Sequence, residues 1–536
     1  METKTEQLIR AGLLVFAVLC NAAASASQAV PVLQQIYFEG EALSGSETVP
    51  GFDPIRDLVR DNGSRDIYVA PNGNFITVVN TDPFQANGIN DGTSYQFGST
   101  TQGTQPTAIR REGTMAGQVV EAYGSTGIDL AGNITYTASL TNGSPPPTRL
   151  SSLWENDTLI FLEGDAVPAG PLAGKFVDSA FGAYRSPSGV SSWISRYADS
   201  SLGTATGTAI FRDTTNFEVL LQSGDTIGSE GTVVDEDFAI SGNIRWSDAG
   251  TNYITDVDVE PGFTSTGDVL VINGQPATTP SGGVIREGNA VAAADGGLAG
   301  ETWDISGLYD VNNFGEFIFS GFNDGVVNDS VLALNGEIIH RENDIVDGVQ
   351  LTGQVLAVGI NDVGDYAFVW DKSLFINSQL VARERDGAQA GTLVDTDDDG
   401  IGDAEITNFA LGKFEISNLP AAGSDFPVVY VAAEVNNRES RFRLLPAFAD
   451  ADDDGDNDGT DFLTWQAGVG IGTTRAEGDA NGDANVDGDD LAIWEDSYGQ
   501  SLPAALSSSA AASVPEPSTF CLLITALYWT GSKRRR

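Results

Sequence analysis

Oxygen ligands are concentrated in two loops toward the C-terminal end of the chain. In the first, Asp450, Asp452, Asp454, Asp458 and Asp461 fall at positions 1, 3, 5, 9 and 12 of a twelve-residue stretch, with Asp456 at position 7. In the second, Asp479, Asn481, Asp483, Asp487 and Asp490 repeat the pattern, with Asn485 at position 7. Ca²⁺ is a hard cation that takes six to eight oxygens, and a loop of this length and spacing can wrap one ion, position 7 giving only its backbone carbonyl. A third run, Asp395, Asp397, Asp399 and Asp403 with Gly400 at position 6, carries the first half of the same pattern. The chemistry these residues offer is calcium binding.

Other chemistries find little support. The chain has one histidine, His340, beside Ile338 and Ile339, and it is expected to be an ordinary strand residue. One histidine cannot build a His-based metal site. No Gly-x-Ser-x-Gly elbow, phosphate loop or dinucleotide fingerprint is present. Carboxylate pairs for glycoside hydrolysis are possible in principle, but 75 acidic residues single out no pair. A net charge of −48 argues against nucleic acid and anionic membrane surfaces as partners.

The two loops need helices behind them. Each runs into an apolar start, Phe462, Leu463 and Trp465 in the first and Leu491, Ile493 and Trp494 in the second. The copies lie 29 residues apart. This pair resembles a type I dockerin, in which a loop-and-helix repeat occurs twice and position 12 is Asp. Ala484 stands where the family's turn glycine is expected, and Asn457 where position 8 is usually apolar. The resemblance covers residues 450–499 and implies calcium-dependent folding and a cohesin-like protein as partner.

The ends of the chain read as address labels. Lys4 and Arg10 precede an apolar run ending at Cys20, and Ala24 and Ala26 supply small cleavage-site residues, the layout of a secretory signal peptide over 1–26. Residues 501–513 form a Ser/Ala-rich linker. At the far end, Val514, Pro515, Glu516, Pro517 and Ser518 precede a short apolar segment and then Lys533, Arg534, Arg535 and Arg536. This segment, 514–536, resembles the PEP-CTERM sorting signal, which implies cleavage by an exosortase-type protease and delivery to the cell surface or matrix. Its apolar stretch of about 12 residues would span about 18 Å as a helix, short of a ~30 Å hydrocarbon core, so membrane association is expected to be transient. Both cysteines, Cys20 and Cys521, fall in the segments to be removed.

The long middle must bury its core some other way than as one compact mass. A turn recurs with Gly73, Gly132, Gly189, Gly250, Gly315, Gly364 and Gly423, separated by 59, 57, 61, 65, 49 and 59 residues. Between these turns lie short strands closed by Asn and then an apolar strand ending in a charged turn, as at Glu112–Gly113, Glu163–Gly164 and Glu287–Gly288. Four short strands at this period are the mark of a propeller blade. The chain is therefore expected to be all-β: a seven-bladed β-propeller-like repeat domain over 30–447, followed by a small α-helical calcium-loop module over 450–499. The strand at 32–39 precedes the first unit and matches a fourth strand, so it could close the ring by pairing with the last. The expected role is a non-catalytic, exported, calcium-binding protein of the cell surface or matrix that binds proteins or polysaccharide. The alternative is a polysaccharide-degrading enzyme carrying a dockerin.

Overall fold

The computed structural model describes residues 32–38, 46, 58–59, 67–70, 74–82, 93–100, 107–115, 118–141, 149–234, 240, 244–260, 267–323, 330–387, 391–394, 404–420, 427–435, 438–445, 449, 451, 457–472, 477–478, 480 and 486–498. The expected signal peptide, linker and sorting tail lie outside them. No helix among the described residues is long and apolar enough to cross a membrane.

Seven antiparallel sheets of four or more strands follow one another along the chain. Their innermost strands are Ile67–Val69, Gln118–Ile128, Phe176–Arg185, Arg245–Trp246, Trp303–Val311, Val355–Ile360 and Ala404–Pro420, and the sheets are numbered here as blades 1 to 7 in that order. Blade 7 takes its outermost strand from the other end of the chain. Val32–Phe38 pairs antiparallel with Arg438–Leu445, Val32 opposite Leu445 and Phe38 opposite Ser440. The protein is an all-β, seven-bladed propeller.

Burial follows from this radial packing. Second strands are covered on both faces: along Ile134–Thr141 nearly every residue is buried, whereas the outermost strand Glu337–Arg341 has none that is. Apolar clusters fill the gaps between neighbouring blades. Trp193 and Phe211 of blade 3 pack with Leu153 and Phe161 of blade 2, and Phe414 and Val429 of blade 7 with Val369 and Leu374 of blade 6. The last gap is filled too. Tyr430 of blade 7 lies 5.5 Å from Phe75 of blade 1, in a cluster with Ile67 and Val69, and Ile36 of the closing strand packs against it.

The repeated turns owe their shape to glycine, asparagine, aspartate and serine. At the inner turn, Gly132, Gly189, Gly250, Gly315 and Gly364 all take φ between 67° and 89°, and each donates its N–H to the carbonyl three residues earlier. That earlier residue is Asp129, Ser186, Ser247, Asn312 or Asn361, whose side chain accepts a backbone N–H from the far side of the turn. Between third and fourth strands, Asn156, Asn273, Asn335 and Asn377 sit at φ of 48° to 52°. Each clamps the start of the second strand, accepting through Oδ1 from the N–H of Ile134, Tyr253, Phe317 or Tyr366 at 2.8–3.0 Å. At the end of the fourth strand, Gly164, Gly224, Gly288 and Asn343 occupy the left-handed region and hand the chain to the next blade.

Blade 4 departs from the expected pattern. The segment ending at Glu287–Gly288 does not form a regular fourth strand. Only Gln275–Pro276 pairs continuously, and 284–287 returns to the third strand through single bridges and the bonds Leu270 N–H to Ile285 O and Glu287 N–H to Asp268 O. Pro276 and Pro280 lack the N–H that a regular ladder requires.

The inner turns differ in how much room they leave, which orders the effects of substitution. A Cβ on Gly132 would lie 2.1 Å from the Thr100 carbonyl oxygen, while one on Gly364 meets nothing within 4 Å. Gly364→Ala is expected to cost only the left-handed strain, about 1–2 kcal/mol. Gly132→Ala should cost clearly more. Urea unfolding of both variants checks the order, and equal losses would show that the blade 1–blade 2 contact is not as described.

Candidate functional site

Of the predicted calcium ligands, Asp458, Asp461, Asp487 and Asp490 lie within the described residues. Asp450, Asp452, Asp454, Asp456, Asp479, Asn481, Asp483, Asn485, Asp395, Asp397, Asp399 and Asp403 lie outside them. Among the described residues no group of three or more His, Cys, Asp or Glu is arranged to hold a metal.

Asp461 and Asp490 sit in matching places. Helix α1 (Gly459–Gly468) and helix α2 (Gly488–Ser497) each begin just before one of them. Asp461 accepts from the N–H groups of Ala451 and Asp458 at 2.7 and 2.8 Å, and Asp490 from those of Ala480 and Asp487 at 2.8 and 2.7 Å. Both carboxylates are almost fully buried. Each therefore draws position 2 and position 9 of its own loop together. The tryptophans cross over: Trp465 Nε1–H donates to the Asp487 carbonyl, and Trp494 Nε1–H to the Asp458 carbonyl, at 2.7 and 2.8 Å. Phe462 fills the space between, 4.8 Å from Trp494. The two halves are related by an approximate twofold exchange.

A second polar assembly lies at the propeller axis, where the inner turns meet. In blades 4, 5 and 6 the residue two before the turn glycine is Asp248, Asn313 and Asp362, and Asn418 reaches the same place from blade 7. The N–H groups of Ala249, Asn313 and Asp362 donate in turn to Asn313 Oδ1, Asp362 Oδ1 and Asn418 Oδ1 at 2.8, 2.7 and 2.5 Å. Asn418 Nδ2 then donates to both Asp362 Oδ2 and Asp248 Oδ2, closing a loop of side chains over part of the channel. Two acceptors on one nitrogen hold these carboxylate oxygens within about 5 Å of each other. Asp248 also lines a small cavity of about 20 Å³, with Tyr68, Tyr184, Arg185, Arg245, Asp310 and Glu415.

Charge is crowded there. Burial, then the nearby Asp362 and Asp310, push the Asp248 carboxyl well above the ordinary range. Asp310 is raised to about 6, by burial against the opposing pull of Arg245 and the Ile360 N–H. Farther out in blade 4, burial and a hydrogen bond with Asp258 raise Asp268 to about 9. On the opposite side of the channel the charges are matched. Arg185 of blade 3 donates to Asp129 of blade 2 at 2.8 Å, with Glu155 3.6 Å away.

These axial residues were not singled out in the sequence, although a signal existed. Aligned on the turn glycine, the position two before it reads Pro71, Leu130 and Pro187 in blades 1 to 3, then Asp248, Asn313 and Asp362. The change from apolar to polar halfway round the ring marks the axial site.

No family model and no curated protein matches the chain. Among solved structures, it is similar to the β-propeller domain of the trilobed protease from Pyrococcus furiosus, at 12% identity over 71% of this chain and 94% of that one, with a TM-score of 0.33. It is similar to the hydrazine synthase of Kuenenia stuttgartiensis at 10% identity over 72% and 98%, TM-score 0.33. An α-L-arabinanase from Penicillium chrysogenum, solved with arabinobiose, is 11% identical over 77% and 97%, TM-score 0.28. At these scores the likenesses carry no argument about activity, and the blade count rests on the hydrogen-bonded sheets.

Two outcomes are expected at the axis. Asn418→Ala removes the donor to Asp248 Oδ2 and the acceptor of the Asp362 N–H, which should cost about 1–3 kcal/mol in urea unfolding. Asn418→Asp, adding a third carboxylate, should cost more. The pH dependence has a definite sign. Asp248, Asp268 and Asp310 hold their protons in the folded chain at pH values where the unfolded chain has released them. Stability contributed by the protonated forms is therefore present at low pH and lost as pH rises from about 4 toward 9. The melting temperature at fixed calcium should fall over that window, and Asp268→Asn should flatten the fall. A rising melting temperature with no effect of Asp268→Asn would refute this assignment.

Proposed function

We propose that the chain is an exported, calcium-binding protein of the cell surface or extracellular matrix, whose propeller axis binds a partner without transforming it. One observation carries the non-catalytic reading. The axial carboxylates closest to a catalytic pair, Asp248 and Asp362, are engaged as ties between blades. Asp362 accepts from the Asn313 N–H and from the side-chain amides of Asn313 and Asn418. A general acid or nucleophile needs an oxygen open to substrate, whereas both Asp362 oxygens and Asp248 Oδ2 accept hydrogen bonds from neighbouring turns.

The calcium role rests on the spacing of the two Asp-rich loops, together with the matched placement of Asp461 and Asp490 at the starts of two helices. With the ion bound, these carboxylates would serve as the position-12 ligand of each loop, and Asp450, Asp452, Asp454, Asp479, Asn481 and Asp483 would supply further oxygens. The module is proposed to be dockerin-like, with a cohesin-like protein or polysaccharide as partner. The tail 514–536 is proposed as the sorting signal cut by an exosortase-type protease after brief membrane association.

Calorimetric titration of the chain with Ca²⁺ should give at least two sites, and chelator should reduce the helix signal in circular dichroism. Asp454→Ala should weaken the first site far more than Asp456→Ala, because position 7 uses only its carbonyl. Binding that is indifferent to both substitutions would exclude the first loop. Release of reducing ends from arabinan or xylan, lost in Asp248→Asn, would instead favour the hydrolase. Export predicts that protein recovered outside the cell lacks both Cys20 and Cys521, and a thiol label on Cys521 there would refute tail processing.

A further inference from the structure

Two departures from the repeat, in different blades, meet at one point. The third-to-fourth-strand turn carries Gly274 in blade 4 and Gly336 in blade 5 at left-handed φ, but blade 6 has Ser378 there, at φ 64°. A serine in this backbone region stores strain that glycine would avoid. The fourth strand carries Phe161, Leu221 and Ala382 in blades 2, 3 and 6 at the place where blade 5 has His340, the only histidine of the chain. His340 Nε2 lies 2.6 Å from Ser378 Oγ, and Tyr366 Oη lies 2.7 Å from the same oxygen.

We propose that Ser378 is a nucleophile that accepts acyl groups from esters, with His340 as its base. His340 packs against Phe368 at 5.5 Å between ring centres, and burial holds its imidazole below the ordinary range, against the opposing pull of Asp344. The ring is therefore neutral at pH 7, and Nε2 can take the serine proton. Tyr366 donates its O–H to Ser378 Oγ and orients the lone pair. In the reaction, Ser378 Oγ attacks the ester carbonyl carbon and its proton passes to His340 Nε2. The C–O bond to the alkoxide breaks, that proton goes to the alkoxide, and an alcohol leaves. Water, deprotonated by the same imidazole, then releases the acid and restores the serine.

The repeat itself supplies variants expected to fold. Ser378→Gly and His340→Leu install residue types that other blades carry at these places. The full chain is treated with a fluorophosphonate probe and with p-nitrophenyl acetate, and the modified peptide is mapped by mass spectrometry. Wild type should label at Ser378 and give a burst near one acyl group per chain. Ser378→Gly should abolish both. His340→Leu should slow labelling about a hundredfold, with the near-UV circular dichroism unchanged. The labelling rate should fall as pH drops through the His340 titration, below its ordinary 6.5. No label on Ser378, or an equal rate in folded His340→Leu, overturns the proposal.

Discussion

The pairing of Val32–Phe38 with Arg438–Leu445 is the constraint on which the rest of the propeller depends. Without it, blade 7 would end in an open strand edge, and the apolar faces of Phe75 and Tyr430 would lack the neighbour that packs against them. Seven interfaces between blades form a closed circuit only because residues four hundred positions apart share one sheet. Most contacts elsewhere link a blade to the next one along the chain. The closing strand is thus the longest loop the chain must shut during folding, and the slow logarithmic growth of closure entropy with length makes that affordable.

Much of this was legible in the sequence because the turns have strict backbone needs. A left-handed residue favours glycine or asparagine, so Gly132, Asn156 and Gly164 could be read as punctuation before any strand was placed. Where blade 5 lacks the glycine at the end of its fourth strand, Asn343 takes the same conformation, whereas blade 6 has Arg385 there without it. The closing strand was visible from its likeness to other fourth strands. Blade 4 was misread because periodicity alone gives no weight to Pro276 and Pro280, which remove donors from the ladder.

The axial site was less legible for a physical reason. Its members are ordinary turn residues, and Asp, Asn, Pro and Leu are all compatible with the local backbone. Their significance comes from convergence, since equivalent turns in a closed ring point toward one axis. A linear reading sees Asp248 and Asn418 as 170 residues apart, yet they share a hydrogen bond. The meeting of His340 with Ser378 is hidden in the same way, each being unremarkable until the blades are set side by side. The proposed calcium loops are the reverse case. Their ligand spacing is a property of the chain itself and needs no tertiary structure to be recognised.

The closing strand also decides how the domain bears load. Val32 stands opposite Leu445, so the points where the chain enters and leaves the propeller are neighbours at one end of blade 7. A pull between the two ends would separate these strands one hydrogen-bonded pair at a time, as a zipper opens, and the ring would yield at low force. A pull on the C-terminal side alone draws on the whole body through a single corner and leaves the seam unstressed. For a protein held at a surface by one end, that geometry lets the propeller swing freely while its weakest joint stays slack.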